Sequence, residues 1–168
     1  LKKAGYELSD DAGLCDIVIV NTCGFIQSAK EEAIETILEC CTLKKEGRIK
    51  AVVITGCLAE RYREEVSELI SEADAVIGIG CNEDIVEIIN KVAEGEKISR
   101  FDEKEKLSLT GGRIISTLPF FAYLKVAEGC DNCCSYCAIP SIRGRFRSNP
   151  IEEVVKEAKY LVDNGVRE

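Results

Sequence analysis

Histidine, methionine and tryptophan are absent from this 168-residue chain, and proline occurs three times. Without histidine there is no imidazole base, no imidazole metal ligand and no serine–histidine triad. The lack of methionine, with Leu1 at the start, makes the sequence read as a piece of a longer protein. No apolar run approaches the ~20 residues that a membrane-crossing helix needs. No secretory signal is visible. An excess of cations is missing too: 22 Lys and Arg stand against 30 Asp and Glu, a net charge of −8. That excludes nucleic-acid binding by the field of the whole molecule and leaves only local basic patches.

Cysteine, by contrast, is abundant: there are ten. Three of them form a Cys-x3-Cys-x2-Cys spacing, Cys130, Cys134 and Cys137, within the stretch Cys130-Asp131-Asn132-Cys133-Cys134-Ser135-Tyr136-Cys137. Three thiolates leave one iron of a 4Fe-4S cube without a protein ligand, and an open iron can bind a small molecule. Cys133 adds a second grid, Cys130-x2-Cys133 and Cys134-x2-Cys137, the arithmetic of a four-cysteine zinc module. Its two pairs abut, whereas structural zinc sites draw pairs from separated turns. Disulfides are the remaining use of so many thiols. The apolar periodic segments suffice for a core without staples, and a thiol-rich, unstapled chain suits a reducing cytoplasm.

The first ninety-odd residues alternate short apolar runs with amphipathic segments. Residues 16–20, 51–54 and 75–77 read as buried parallel strands. Between and after them lie helical stripes. Ser28-x2-Glu31 has the form of a capping box, followed by Ala33, Ile34, Ile37, Leu38 and Cys41 on one face. Tyr62, Val66, Leu69 and Ile70 make a second stripe, and Ile85, Ile88, Ile89 and Val92 a third. Such alternation predicts an α/β fold with an N-terminal parallel sheet flanked by helices, Rossmann- or flavodoxin-like. Residues 1–5 resemble the tail of a helix. Residues 95–118 lose the rhythm and read as a linker between a domain over 1–94 and the start of another over 119–168. In the latter, residues 120–126 are expected as a strand leading into the cysteine loop. Asn149 is expected to cap a helix carrying Pro150 at its first position. This is one strand–loop–helix unit, and a site at the carboxyl end of its strand is where α/β barrels place their chemistry.

Several stretches carry a resemblance. Residues 128–140 (Glu-Gly-Cys-Asp-Asn-Cys-Cys-Ser-Tyr-Cys-Ala-Ile-Pro), with Arg143-Gly144 and Arg147-Ser148, resemble the radical S-adenosylmethionine methylthiotransferases. In that pattern Cys133 occupies a variable position outside the ligand set. Asn21-Thr22-Cys23-Gly24-Phe25-Ile26 and Thr55-Gly56-Cys57-Leu58-Ala59-Glu60-Arg61-Tyr62 resemble the family's auxiliary-cluster domain, where three cysteines hold a second 4Fe-4S cluster. Cys23 and Cys57 match two of the three, and both follow expected strands. The third lies, in the family, in a Gly-Cys turn upstream of Leu1.

The resemblance implies a truncated radical S-adenosylmethionine barrel after the first domain. It also implies two 4Fe-4S clusters in the full-length protein, and S-adenosylmethionine as cofactor with Tyr136 packing on its adenine. A flavodoxin- or ferredoxin-like protein would donate electrons. Residues 23–32 and 142–147 lean toward the branch that modifies a small-subunit ribosomal protein rather than the branch that modifies tRNA. The implied reaction abstracts hydrogen from an aspartate β-carbon with the 5′-deoxyadenosyl radical. Sulfur then comes from the auxiliary cluster and the methyl group from another S-adenosylmethionine. Asn149 departs from the basic residue common in that branch. The 168 residues alone are expected to be inactive.

The remaining residues of note have plainer readings. Cys15, Cys40, Cys41 and Cys81 read as small buried or half-buried residues. Arg143, Arg145 and Arg147 form a basic run, either solvated or in contact with cofactor, substrate or neighbouring carboxylates.

Overall fold

The computed structural model describes residues 1–111, 113 and 120–168. The chain divides into two compact units, Leu1–Leu107 and Ser108–Glu168.

The first unit is built on β-branched strands. β1 (Ile17–Thr22), β2 (Ala51–Gly56), β3 (Ala75–Ile77) and β4 (Ile98–Arg100) form one sheet in that order, every neighbouring pair parallel. Because side chains alternate across a strand, β2 feeds two cores. Val52 and Ile54 pack with Ile37, Cys40, Cys41, Val66 and Ile70. These come from α1 (Gln27–Lys45), α3 (Arg63–Leu69) and the residue after it. Ala51 and Val53 pack with Ile88 and Val92 of α4 (Ile85–Ala93) on the other face. All six residues of β2 are buried. Helices on both faces of a parallel sheet are the expected α/β architecture.

Several local expectations are corrected. Ser28 is not a cap: it is the second residue of α1, past the capping position, and Ile26 occupies the cap in extended conformation without a side-chain bond. The first turn is tied instead by Gln27 Nε2 donating to Glu31 Oε1 at 2.8 Å. The buried face of α1 is Ala33, Ile37, Cys40 and Cys41, spaced i, i+4, i+7, i+8. Ile34 and Leu38 flank it and are exposed. Leu69, at the end of α3, is 81% exposed. The segment read as a linker contains β4, whose Ile98 pairs with Ala75 through the backbone ladder. Three residues are too few for an apolar period to register. The rest of that segment includes residues 112 and 114–118, which lie outside the described residues, as does residue 119.

The second unit centres on a short antiparallel pair, β5 (Ala127–Glu128) with β6 (Arg147–Ser148). The strand expected over 120–126 does not form as such. Its backbone is bonded in places: Ala122 N–H donates to Glu168 O, Phe120 O accepts from Arg167 N–H, and Val126 O accepts from Asn149 N–H. The helix α5 (Ile151–Asp163) follows, with Pro150 rather than Asn149 at its cap position. Asn149 is buried, and its Nδ2 reaches Leu109 O at 3.3 Å and Lys125 O at 3.4 Å. Its side chain thus ties the strand–helix junction to residues 109 and 125 instead of capping the helix.

Candidate metal centre

Cys23 and Cys57 meet through the sheet register. Thr22 and Gly56, the last residues of β1 and β2, are partners, so the two cysteines leave adjacent strands at the same carboxyl edge. The approach is close: a Cβ at Gly24 would stand 2.8 Å from both Cys57 O and Leu58 N. Thr22 Oγ1 donates to Thr55 O at 2.6 Å and locks the edge. Gly56 has φ +98°, and an added Cβ would overlap Thr22 O and stand 2.6 Å from Asn21 Oδ1. Cys57 begins α2 (Cys57–Arg61) and is 3% exposed, whereas Cys23 is exposed. Beside them Glu60 is wholly buried. Its carboxylate pairs with Arg63, and Oε2 accepts the Ile79 N–H at 3.0 Å. Lys104 Nζ lies 4.0 Å from Oε1.

The second cysteine set lies on one loop after β5. Cys137 N–H donates to Cys134 O at 3.0 Å and closes a turn. Two backbone N–H groups approach sulfur: Asn132 toward Cys130 Sγ and Ile139 toward Cys137 Sγ, each at 3.5 Å. Cys133 takes φ +47°, alone among the described non-glycine residues in having positive φ. Cys130 and Cys137 are half-buried, while Cys133 and Cys134 are exposed. Tyr136 is 90% exposed, so it is no part of a core.

Among the described residues, no three Cys, Asp or Glu side chains are gathered closely enough to hold a metal ion. The thiols of Cys130, Cys134 and Cys137 therefore share a loop without forming a finished shell. The same holds for the four-cysteine zinc set. The donor chemistry fits an iron–sulfur cluster, since cluster thiolates are tuned by backbone N–H groups aimed at sulfur, and two such groups are in place. None of the ten cysteines is in a disulfide.

The arginine run meets carboxylates. Arg143 Nη1 lies 3.3 Å from Glu128 Oε2, and Arg145 Nε lies 3.5 Å from Asp131 Oδ1. Glu128 also pairs with Lys125. Burial pushes the Glu128 carboxyl upward, but the hydrogen bond from Lys125 and the charge of Arg143 together leave it below its ordinary value. Burial raises the thiols of Cys40, Cys41 and Cys81. Cys81 Sγ donates to Arg100 O at 3.3 Å and accepts the Asp102 N–H at 3.4 Å, the setting of a structural thiol.

Glu60, Glu128 and Asp131 are the residues that motif reading quoted without giving them work. The available signal was position: each lies within three residues of a candidate ligand, and Glu60 and Glu128 each have a basic residue three away.

Residues 1–78 match the model of "Uncharacterized protein family UPF0004". Over the whole chain, identity is 46% to the ribosomal protein uS12 methylthiotransferase RimO of Lachnoclostridium phytofermentans and 46% to that of Thermoanaerobacter sp.. It is 45% to that of Clostridioides difficile. The chain spans 38% of the length of each of these relatives. Among the described residues, no helix is long and apolar enough to cross a membrane. Residues 1–78 thus carry a UPF0004 match, and the chain is similar along its full length to part of the RimO-type methylthiotransferases.

Proposed function

We propose that this chain is part of a radical S-adenosylmethionine enzyme. It would add a methylthio group to the β-carbon of an aspartate in ribosomal protein uS12. The observation that carries the reading is the loop of Cys130, Cys134 and Cys137. It is closed by its own turn, sits at the carboxyl end of β5, and directs backbone N–H groups at two of its sulfurs.

In this reading Cys130, Cys134 and Cys137 hold one 4Fe-4S cluster, and Cys23 and Cys57 give two ligands of a second. When bound, the first offers an open iron to the amine and carboxylate of S-adenosylmethionine and an electron for its reductive cleavage, and the second is a source of sulfur. Tyr136, exposed beside the loop, packs on the adenine. Cys133 stays outside the ligand set, and its left-handed backbone serves to turn the chain between Asn132 and Cys134. Residues 1–94, together with β4, act as the auxiliary-cluster domain, the rest of 95–118 as a linker and 119–168 as the start of a radical S-adenosylmethionine barrel. The protein works in the cytoplasm with a flavodoxin- or ferredoxin-like electron donor.

The test pairs chemistry with cells. After anaerobic reconstitution of the full-length protein, Cys134→Ala should lower bound iron and Cys133→Ala should not. Zinc bound stoichiometrically, and lost with Cys133, would overturn the cluster reading. Deleting the gene should remove the methylthio group from uS12, read by mass spectrometry. Loss of a methylthio-adenosine from tRNA, with uS12 unchanged, would overturn the substrate.

A further inference from the structure

The cysteine loop is tied at its Cys130 end to the segment 143–148 through a series of neighbouring contacts. The β5–β6 ladder pairs Ala127 with Ser148 and Glu128 with Arg147. Glu128, buried, reaches Arg143. Gly129 has φ +74°, and a Cβ there would overlap Arg145 O and stand 2.6 Å from Gly144 O. Cys130 N–H donates to Gly144 O at 3.2 Å. Asp131 is the last of the series. Its Oδ1 accepts the Phe146 N–H at 3.2 Å and lies 3.5 Å from Arg145 Nε.

Asp131 differs from the other members. Its side chain is 55% exposed, so truncation removes little buried surface. Its partners, the Phe146 N–H and the Arg145 guanidinium, belong to the opposing segment. A carboxylate in water that accepts a main-chain N–H across a loop adds little to the fold but restricts where the loop can go. We propose that Asp131 is a positioning residue. By accepting the Phe146 N–H it clamps the start of the cysteine loop to the 143–147 segment and fixes where Cys130 Sγ stands relative to Cys134 and Cys137. The proposal rests on the reading of those three thiols as ligands.

Asn keeps an acceptor for the Phe146 N–H, and Ala does not. The full-length protein is reconstituted anaerobically with iron and sulfide as wild type, Asp131→Ala, Asp131→Asn and a variant with Cys130, Cys134 and Cys137 all changed to Ala. Iron release to a chelator and the electron paramagnetic resonance spectrum of the reduced protein are recorded. Asp131→Ala should release the iron that the triple variant lacks about tenfold faster than wild type, the scale of loss when an outer partner of a ligand is removed. Its spectrum should broaden, and Asp131→Asn should stay close to wild type in both. Melting of the apo proteins should be the same for wild type and both Asp131 variants. Hydrogen exchange at the Phe146 amide of the apo protein should be faster in Asp131→Ala alone. Equal iron in wild type and the triple variant would sink the ligand reading, while the exchange result would still judge the clamp. Wild-type behaviour of Asp131→Ala, or equal impairment of Asp131→Asn, would overturn the clamp itself.

Discussion

Replacing Gly56 with alanine should damage the fold and the Cys23–Cys57 edge together. Gly56 has φ +98° and ψ −164°, a region reserved almost wholly for glycine. Holding an L-residue there costs roughly 1–3 kcal/mol. The new Cβ would also overlap Thr22 O and stand 2.6 Å from Thr22 N and Asn21 Oδ1. These are mostly main-chain atoms of the paired strand, and overpacking of this kind adds roughly 1–3 kcal/mol. The sum, about 2–6 kcal/mol, is a large share of the 5–15 kcal/mol that usually holds a domain together. Gly47 supplies the control. It also has positive φ, +73°, but a Cβ there meets nothing within 4 Å. Gly47→Ala should cost only the conformational part, about 1–2 kcal/mol. Urea unfolding followed by far-ultraviolet circular dichroism measures both. If Gly56→Ala costs no more than Gly47→Ala, the close approach of β1 and β2 at this edge is not as described.

Glu60→Ala should cost about 2–4 kcal/mol in the same urea assay, because it strands the Ile79 N–H and takes the partner from Arg63. Glu60→Gln, which keeps an acceptor, should cost less, and equal losses would argue against the N–H bond as the cause. Asp102 is held below its ordinary carboxylate range chiefly by its hydrogen bond from Arg100. A depressed folded value contributes stability above the unfolded value of about 3.9, and that contribution is lost as pH falls through the folded value. Asp102→Asn should therefore flatten the acid side of the stability profile below about pH 4 and leave its shape near neutrality unchanged. In apo protein at neutral pH, iodoacetamide followed by mass spectrometry should modify exposed Cys23, Cys133 and Cys134 well before Cys40, Cys41 and Cys81. Those last three are buried and have raised thiol values. Early labelling of Cys81 would contradict its bonds to residues 100 and 102.

The first three strands were legible because runs of aliphatic residues leave a continuous apolar signal, fully buried in β2 and β3 and partly buried in the edge strand β1, and Cys23 and Cys57 could be placed at strand ends for the same reason. The fourth strand was not, since Ile98–Arg100 offers one apolar residue and is held by main-chain bonds that carry no sequence signature. Cap positions failed at both helices tested. Ser28 and Asn149 have the right chemistry, but each lies one or two residues from the turn where the chain enters the helix. That turn is set by tertiary contacts, such as Asn149 with Leu109 and Lys125. The face of α1 shifted because Cys40 is small enough to be buried where Ile34 and Leu38 are not. At the cysteine loop, spacing named the thiols, and the contacts that restrain them come from residues 143–147, whose arginines gave no sign of which carboxylate each would choose.

The two cysteine regions, on unrelated elements, are built alike. Cys57 and Cys130 each follow a glycine of positive φ whose missing Cβ lets the backbone touch a neighbouring main chain, Thr22 in one case and Arg145 in the other. Each has a buried glutamate close in sequence that binds a backbone N–H and an arginine: Glu60 with Ile79 and Arg63, Glu128 with Gly129 and Arg143. A thiol that must meet other thiols around an inorganic core cannot be positioned by apolar packing, because the core takes the place that packing would fill. Position must then come from the main chain. Glycine permits the close approach that fixes the cysteine's backbone, and the glutamate ties nearby chain, Ile79 and Arg63 in one site and Gly129 and Arg143 in the other. Of the cysteines themselves, Cys23 and Cys134 are left exposed and Cys130 and Cys137 half-buried, while Cys57 is buried. On this argument Gly56, Gly129, Glu60 and Glu128 support the cysteine sites through the main chain, and changes at them should disturb the cysteine edges together with the stability of the surrounding fold.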